Sequence, residues 1–180
     1  MDKLNDQVVR YHEELQKGYL QNAYRGIMEF MSGVRAYLSE RHPDMTAGAL
    51  YQGLMDMTFF TITPETLKAR KLKVAIVYLH AKNSFEVWLS GANRQVQSDF
   101  LKLLKDSDLS GYELTEAAPG VDSIISWTIT EYPDFNDTEA LRMMLEVETI
   151  KFIADMVELV SYAGKKQKSE DFGIGNPGDC

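Results

Sequence analysis

The sequence predicts an α+β domain: about four strands in a mixed or antiparallel sheet with flanking helices, in the order ααβ(α)ββαβα. Three observations predict it. Apolar residues recur at helical spacing near both ends of the chain and once in its middle. Between them lie short runs rich in β-branched and aromatic residues, which suit strands. Two of those runs are separated only by Ala81-Lys82-Asn83-Ser84, a turn-forming stretch, so they pair as an antiparallel hairpin. A doubly wound parallel sheet is thereby excluded.

The first helix covers residues 3–16, where Leu4, Val8, Tyr11 and Leu15 fall on one face. Gly18 breaks the pattern. A second helix covers about 20–40, with Leu20, Ile27, Met31, Val34 and Leu38 on its apolar stripe. His42-Pro43 ends it, because the residue before proline is pushed out of helical geometry. Either an αα-hairpin or one bent helix satisfies this pair.

In LYQGLMDMTFFTIT (50–63) the residues Tyr51, Gly53, Met55, Met57 and Phe59 share one parity. Its second half favours a strand, while the Met-rich first half also suits a helix. Thr63-Pro64-Glu65 then reads as a helix start, Thr63 as N-cap and Pro64 at the first helical position, with a short helix through Arg70. KVAIVYLH (73–80) and FEVWL (85–89) are the clearest strands. In the first, Ala75, Val77 and Leu79 make even the off-face positions apolar, as in a central strand covered on both faces.

Ser90-Gly91-Ala92 leads into a helix over about 93–105 that buries Val96, Phe100, Leu103 and Leu104. A loop comes next over 106–120, rich in Asp, Ser, Gly and Pro. DSIISWTITEY (122–132) is the fourth strand, stopped by Pro133. Asn136 or Asp137 caps the last helix, Asn136 and Glu139 having capping-box spacing, and that helix runs to about Ala163. The expected organisation is one domain over 1–163 and a disordered polar, Gly-rich tail over 164–180.

Composition narrows the function classes. Hydrophobic residues make up 44% and charged residues 26%, an ordinary globular balance. No apolar run approaches the roughly 18 residues of a membrane span. The N-terminus lacks a basic region followed by an apolar one, so no signal peptide and a cytoplasmic location are expected. Cys180 is the single cysteine, which excludes an intrachain disulfide and a thiolate metal cluster. The net charge of −8 disfavours nucleic acid as a partner, since phosphate neutralisation supplies most of that affinity.

The motifs of phosphate-binding loops, dinucleotide folds, zinc proteases, serine hydrolases and CxxC redox sites are all missing. His12, His42 and His80 do not share a spacing that would place two of them on one metal. Asp134, Asn136 and Asp137 look like calcium-loop residues, but Pro133 and a helix cap explain them better. No cofactor and no metal are expected.

Two constellations stand out. In FEVWLSGANRQVQ (85–97), Glu86 and Trp88 share a parity opposite Phe85, Val87 and Leu89, so one sheet face is polar and aromatic. The helix start after it carries Asn93, Arg94 and Gln97, an arrangement that can hold an anion. The bland alternative packs Trp88 under a helix and pairs Arg94 with a surface acid. The second constellation is Tyr51, Gln52 and Asp56. Asp56 lies in an apolar segment, where an unpaired acid is costly to bury. It is either held by a specific partner, with Arg94 or Lys73 as candidates, or is a cleft carboxylate of raised pKa.

The run YQGLMDMTFF, joined about 25 residues later by FEVWLSGANRQVQ, resembles a family of small bacterial proteins classed as a domain of unknown function. The likeness extends to about residue 160. It implies a stand-alone cytoplasmic bacterial protein and brings no activity with it. A looser analogy of element order leads to restriction-endonuclease-like nucleases, whose third strand needs Glu-x-Lys. Glu86 meets that pattern and Trp88 breaks it, and KVAIVYLH carries no acid.

Three functional expectations result. The first is a non-catalytic or small-ligand-binding domain, with a pocket formed by Tyr51, Gln52, Asp56, Glu86, Trp88, Asn93, Arg94 and Gln97. The second is an enzyme, either a degenerate nuclease-like hydrolase or one acting on a small molecule through Asp56 and Glu86. The third is a protein-interaction module, a homodimer formed through the acidic last helix or the first amphipathic helix. Residue types alone do not decide whether the domain is catalytic.

Overall fold

The computed structural model describes residues 3–109, 111–116 and 122–172, the stretch 165–172 by its backbone alone. The elements are α1 (Leu4–Gln16), α2 (Tyr19–Arg41), β1 (Met45–Ala47), β2 (Met57–Pro64), α3 (Glu65–Lys68), β3 (Leu72–Leu79), β4 (Ser84–Gly91), α4 (Arg94–Leu104), β5 (Glu113–Leu114), β6 (Ser123–Glu131) and α5 (Thr138–Phe172). The expected β3–β4 hairpin forms, with Leu79 opposite Ser84 and Ala75 opposite Trp88. β2 and β6 add to its two sides, and β1 and β5 to the edges, in the order β1-β2-β3-β4-β6-β5. Every neighbouring pair is antiparallel.

The α+β class stands, and the sheet has six strands in place of the expected four. The two additional strands are edge pieces of three and two residues. Segments that short show no readable alternation, and pairing with β2 and β6 is what makes them strands. The short third helix also starts later than its sequence suggests. β2 continues through Pro64, and Thr63 pairs with Thr46 of β1 while its hydroxyl accepts the Val74 amide at 3.2 Å. Sheet pairing has taken the residue expected as an N-cap. At the last helix the cap is Asp137, which accepts the Ala140 amide at 3.1 Å, while Asn136 donates its own amide to Asp134. α5 runs through Phe172 into the stretch read as tail, and residues 173–180 lie outside the described residues.

Alternation assigns the two faces. Phe60 and Ile62 of β2, Val74 and Ile76 of β3, and Phe85, Val87 and Leu89 of β4 share one face and are fully buried. α2 covers that face with Met31, Val34 and Leu38, and α5 with Leu145, Phe152 and Met156. Each such large side chain contributes about 1.5–3 kcal/mol by leaving water. Rings bind the layers together. Phe30 of α2 meets Phe85 and Phe135 edge-on, and Tyr112 meets Phe152 of α5 and Trp127 of β6 in the same manner. α2 and α5 are further clamped by Glu146, whose carboxylate accepts from Tyr37, Arg41 and His42 at 2.7–3.0 Å.

Among the described residues no helix is long and apolar enough to cross a membrane.

Candidate functional site: a groove on the second sheet face

The second face is treated differently by the sequence. Val77 is fully buried there, but one row along the sheet the side chains shrink. Thr61 of β2 faces Ala75 of β3, which faces Trp88 of β4, and Lys73 faces Ser90. The small residues Ala75, Ser90 and Gly91 therefore lie between large neighbours, and a groove of about 330 Å³ opens over them. The expectation that β3 is covered on both faces holds at Val77 and at Ala75, which is buried beside Trp88, and weakens only at Leu79, which is half-buried. Met57, Phe59 and Thr61 form one wall, Trp88 lies on another, and the first turn of α4 with Asp122 closes one end.

That helix end is placed by several contacts. Asn93 is extended and its side chain accepts the Val96 amide at 3.0 Å, a standard N-cap. Gln97 is buried and donates its amide to the Ser123 carbonyl at 2.9 Å, tying α4 to β6. Arg94 donates to the Gln97 side-chain oxygen at 3.0 Å and lies 3.1 Å from the Asp122 carboxylate. Gly91 is required by proximity, since a Cβ there would sit 2.6 Å from the Gln97 amide nitrogen.

Trp88 is oriented by a charge-assisted hydrogen bond. Its indole N–H donates to Glu86 at 2.7 Å, and Lys82 donates to the other oxygen of that carboxylate at 3.1 Å. Glu86 is only 7% exposed, so these two donors meet the requirement that a buried charge be paired.

Of the eight residues picked from the sequence, Trp88, Asn93, Arg94 and Gln97 line the groove. Glu86 adjoins it through Trp88. Tyr51 is reached one step further out: it bridges to Phe59, their ring centroids 4.9 Å apart, and Phe59 is a lining residue. Gln52 and Asp56 belong to the turn beyond and are not in the lining. The Arg94–Asp122 pair is the bland alternative for that arginine, realised without removing it from the groove.

Asp56 differs from the buried or cleft acid its setting suggested. It is exposed and accepts the Leu54 amide at 2.9 Å. Hydrogen bonds from the backbone of Leu54, Met57 and Asp56 itself hold its carboxyl below the usual range, against a small opposing effect of burial. The turn it stabilises is tight: Gly53 and Met55 have φ of 67° and 63°. Beneath it, the Gln52 carbonyl accepts from the Thr58 hydroxyl at 3.0 Å and from Tyr24 at 3.3 Å. The Thr58 oxygen is also 2.9 Å from His80 Nε2. A carbonyl can only accept, so the hydroxyl proton of Thr58 points to Gln52 and His80 Nε2 must carry its own proton. Thr58, His80 and Asp56 thus hold a turn and do not form a nucleophile–base relay, because His80 offers Thr58 a proton and no lone pair. Burial pushes the His80 pKa down, opposed by the Asp56 charge.

Sequence reasoning passed over Met57, Phe59, Thr61, Ala75 and Asp122, and treated Lys73 only as an ion-pair partner. The hairpin held the needed signal. Counting back from its turn sets Ala75 opposite Trp88 and Lys73 opposite Ser90, on the face already marked as polar and aromatic.

For the nuclease analogy, Glu86 has Val77 as its β3 partner and is held by Lys82 and Trp88. Among the described residues no group of three His, Cys, Asp or Glu side chains could hold a metal.

A family described as a domain of unknown function, DUF7000, matches residues 4–160. The chain belongs to this family. The match spans every element from α1 into α5, and so includes all lining residues of the groove. No curated protein and no solved structure matches the chain.

Proposed function

We propose that this domain binds a small organic molecule in the groove over Ala75, with Trp88 and Phe59 supplying apolar contact. One observation carries the reading: a hollow of about 330 Å³ lies on a sheet face whose opposite side is packed solid, and its floor is Ala75, Ser90 and Gly91. That volume is at the small end of the range of about 300–1,000 Å³ typical of ligand sites. The lining mixes aromatic surface with a few convergent polar groups, as such sites do. The hydrogen bond from Trp88 to Glu86 adds preorganisation, so less ordering entropy is lost on binding.

The chain has two tryptophans, which makes the test direct. Trp127 is on β6, edge-on to Tyr112 and away from the groove lining, so Trp127→Phe leaves Trp88 as the single indole reporter. A fragment that enters the groove changes Trp88 emission in this variant and raises its melting temperature. At 100 times the dissociation constant the added stability is about 2.7 kcal/mol. Fragments that raise the melting temperature while leaving Trp88 emission unchanged would place binding elsewhere and refute the reading.

A second reading has its own observation. α1 presents Leu4, Val8 and Tyr11 at 71%, 52% and 59% exposure, and none of its residues is buried. An isolated helix of this length is marginal in water, so a covering partner would stabilise it. The reading is self-association through α1. Light scattering on the native chain and Val8→Glu tests it, and a monomer in both at high concentration refutes it.

A further inference from the structure

The charged groups at the end of the groove are not equivalent. Arg94 already pairs with Asp122 and with the Gln97 side chain. Lys73 lines the same groove from β3, opposite Ser90, and among the described residues no carboxylate lies within ion-pair distance of it. The lining therefore holds two cations against one carboxylate, a net positive charge of one, within a chain of net −8. A cleft of one sign with apolar walls focuses its field on an oppositely charged ligand. On the same sheet face Lys73 is followed by Ala75, which pairs with Trp88, and Phe59 lines the groove further along, opposite Val77.

We infer that the ligand is an organic monoanion, a compact apolar or aromatic body bearing one carboxylate or one phosphodiester, and that Lys73 is the residue that selects for its charge. The inference rests on reading the groove as a small-molecule site. A neutral ligand would gain nothing from the Lys73 ammonium at the end of the groove. A dianion would exceed the single uncompensated charge of the lining. Arg94, fastened to Gln97 and Asp122, places the helix end and leaves recognition of the charge to Lys73. The body of the ligand rests against Trp88, whose N–H is already committed to Glu86.

The test uses aryl and alkyl carboxylic acids, each paired with its own carboxamide, together with methyl phenyl phosphate, a singly charged diester, and acetate. Binding is followed by thermal shift and by Trp88 emission in Trp127→Phe. Acids bind more tightly than their amides to the native chain. Lys73→Gln weakens the acids about tenfold, equivalent to ~1.4 kcal/mol, and leaves the amides unchanged. Lys73→Arg restores most of the acid preference, which a merely structural role would not predict. Because Lys73 is exposed, both variants keep the unliganded melting temperature of the native chain, and this is measured alongside. Carboxylates and methyl phenyl phosphate are compared directly to identify which headgroup Lys73 takes, and acetate shows whether the apolar body contributes. Acids and amides that bind equally well, in the native chain and in Lys73→Gln alike, overturn the charge inference and leave the groove reading standing. A complete lack of binding by acids and amides overturns both.

Discussion

Replacing Thr58 by valine tests the accounting that holds the turn at residues 52–56. Thr58 is fully buried, and valine keeps its shape, so the packing of β2 is preserved. Two hydrogen bonds are lost: the one given to the Gln52 carbonyl at 3.0 Å and the one received from His80 at 2.9 Å. Each is worth about 0.5–1.5 kcal/mol net, and the half-buried His80 N–H left without an acceptor adds to the cost. The sum is about 2–3 kcal/mol, while Gln52 keeps Tyr24 as a donor at 3.3 Å. His80→Phe keeps a ring against Tyr24, where the present centroid distance is 5.7 Å. In Thr58→Val/His80→Phe both polar partners are gone, so the double variant costs about 1 kcal/mol less than the sum of the single ones. Urea unfolding of the four proteins measures this cycle.

Burial of the same ring has a pH signature. His80 has a depressed folded pKa, so below its unfolded value the unfolded chain binds more protons than the folded one. Its contribution is complete above about pH 6.5 and is lost as pH falls through the depressed folded value. His80→Phe therefore flattens the stability profile in that acid region. Additive single costs, or a Thr58→Val within about 0.5 kcal/mol of the native chain, would refute the Thr58–His80 hydrogen bond.

Two further outcomes rest on close contacts elsewhere. Gly91→Ala puts a Cβ 2.6 Å from the Gln97 amide nitrogen and 3.0 Å from the Asn93 carbonyl, both backbone atoms that cannot swing aside. It should cost about 1–3 kcal/mol in urea unfolding and weaken any groove ligand, whereas Gly26→Ala, with open space around the added carbon, should not destabilise. At Glu146 burial alone would raise the pKa, but hydrogen bonds from Arg41, Tyr37 and His42 outweigh it and the net shift is downward. Its stabilising effect is present above the ordinary glutamate range and lost as pH falls through the lowered folded value, and Glu146→Gln should remove that part of the acid limb.

The sequence was most informative where one signal repeated. Leu20 to Leu38 recur at helical spacing over several turns, and the β3–β4 pair is joined by a turn whose Asn83 adopts φ of 50°. Hence α2 and the hairpin were readable. The edge strands were not, because three residues of β1 and two of β5 acquire their conformation from partners far along the chain. Thr63 failed as a cap for a related reason: its hydroxyl suits a helix start and equally the Val74 amide, and only the β1–β2 register decides between them. Half of the groove was legible because Trp88, Asn93, Arg94 and Gln97 lie close together in the chain. The other half comes from β2 and β3 across the sheet, and the small size of Ala75 means nothing until its neighbours are known.

Beside the groove end lies an irregularity between β4 and β6 that composition does not announce. Register shifts there between Leu89 and Ser90, so Leu89 faces Ile125 while Ser90 faces Ser123, and Ile124 is left between. The extra residue belongs to β6, and such bulges bend the strand that carries them. Past Ser90 on β4 the chain runs through Gly91 and turns at Asn93 into α4, which Gln97 fastens back to Ser123, the residue paired with Ser90. The loop closes on itself: bulge, glycine, cap and buried glutamine fix the helix end against the strands that carry Lys73 and Trp88. A wall held at both ends can present polar groups to a ligand without ordering them on binding. The same closure explains why Arg94 is poorly suited to seize a ligand's charge, since moving it would break its contacts to Gln97 and Asp122. Lys73, on an inner strand and paired with no acid among the described residues, can meet a ligand's charge at no such cost.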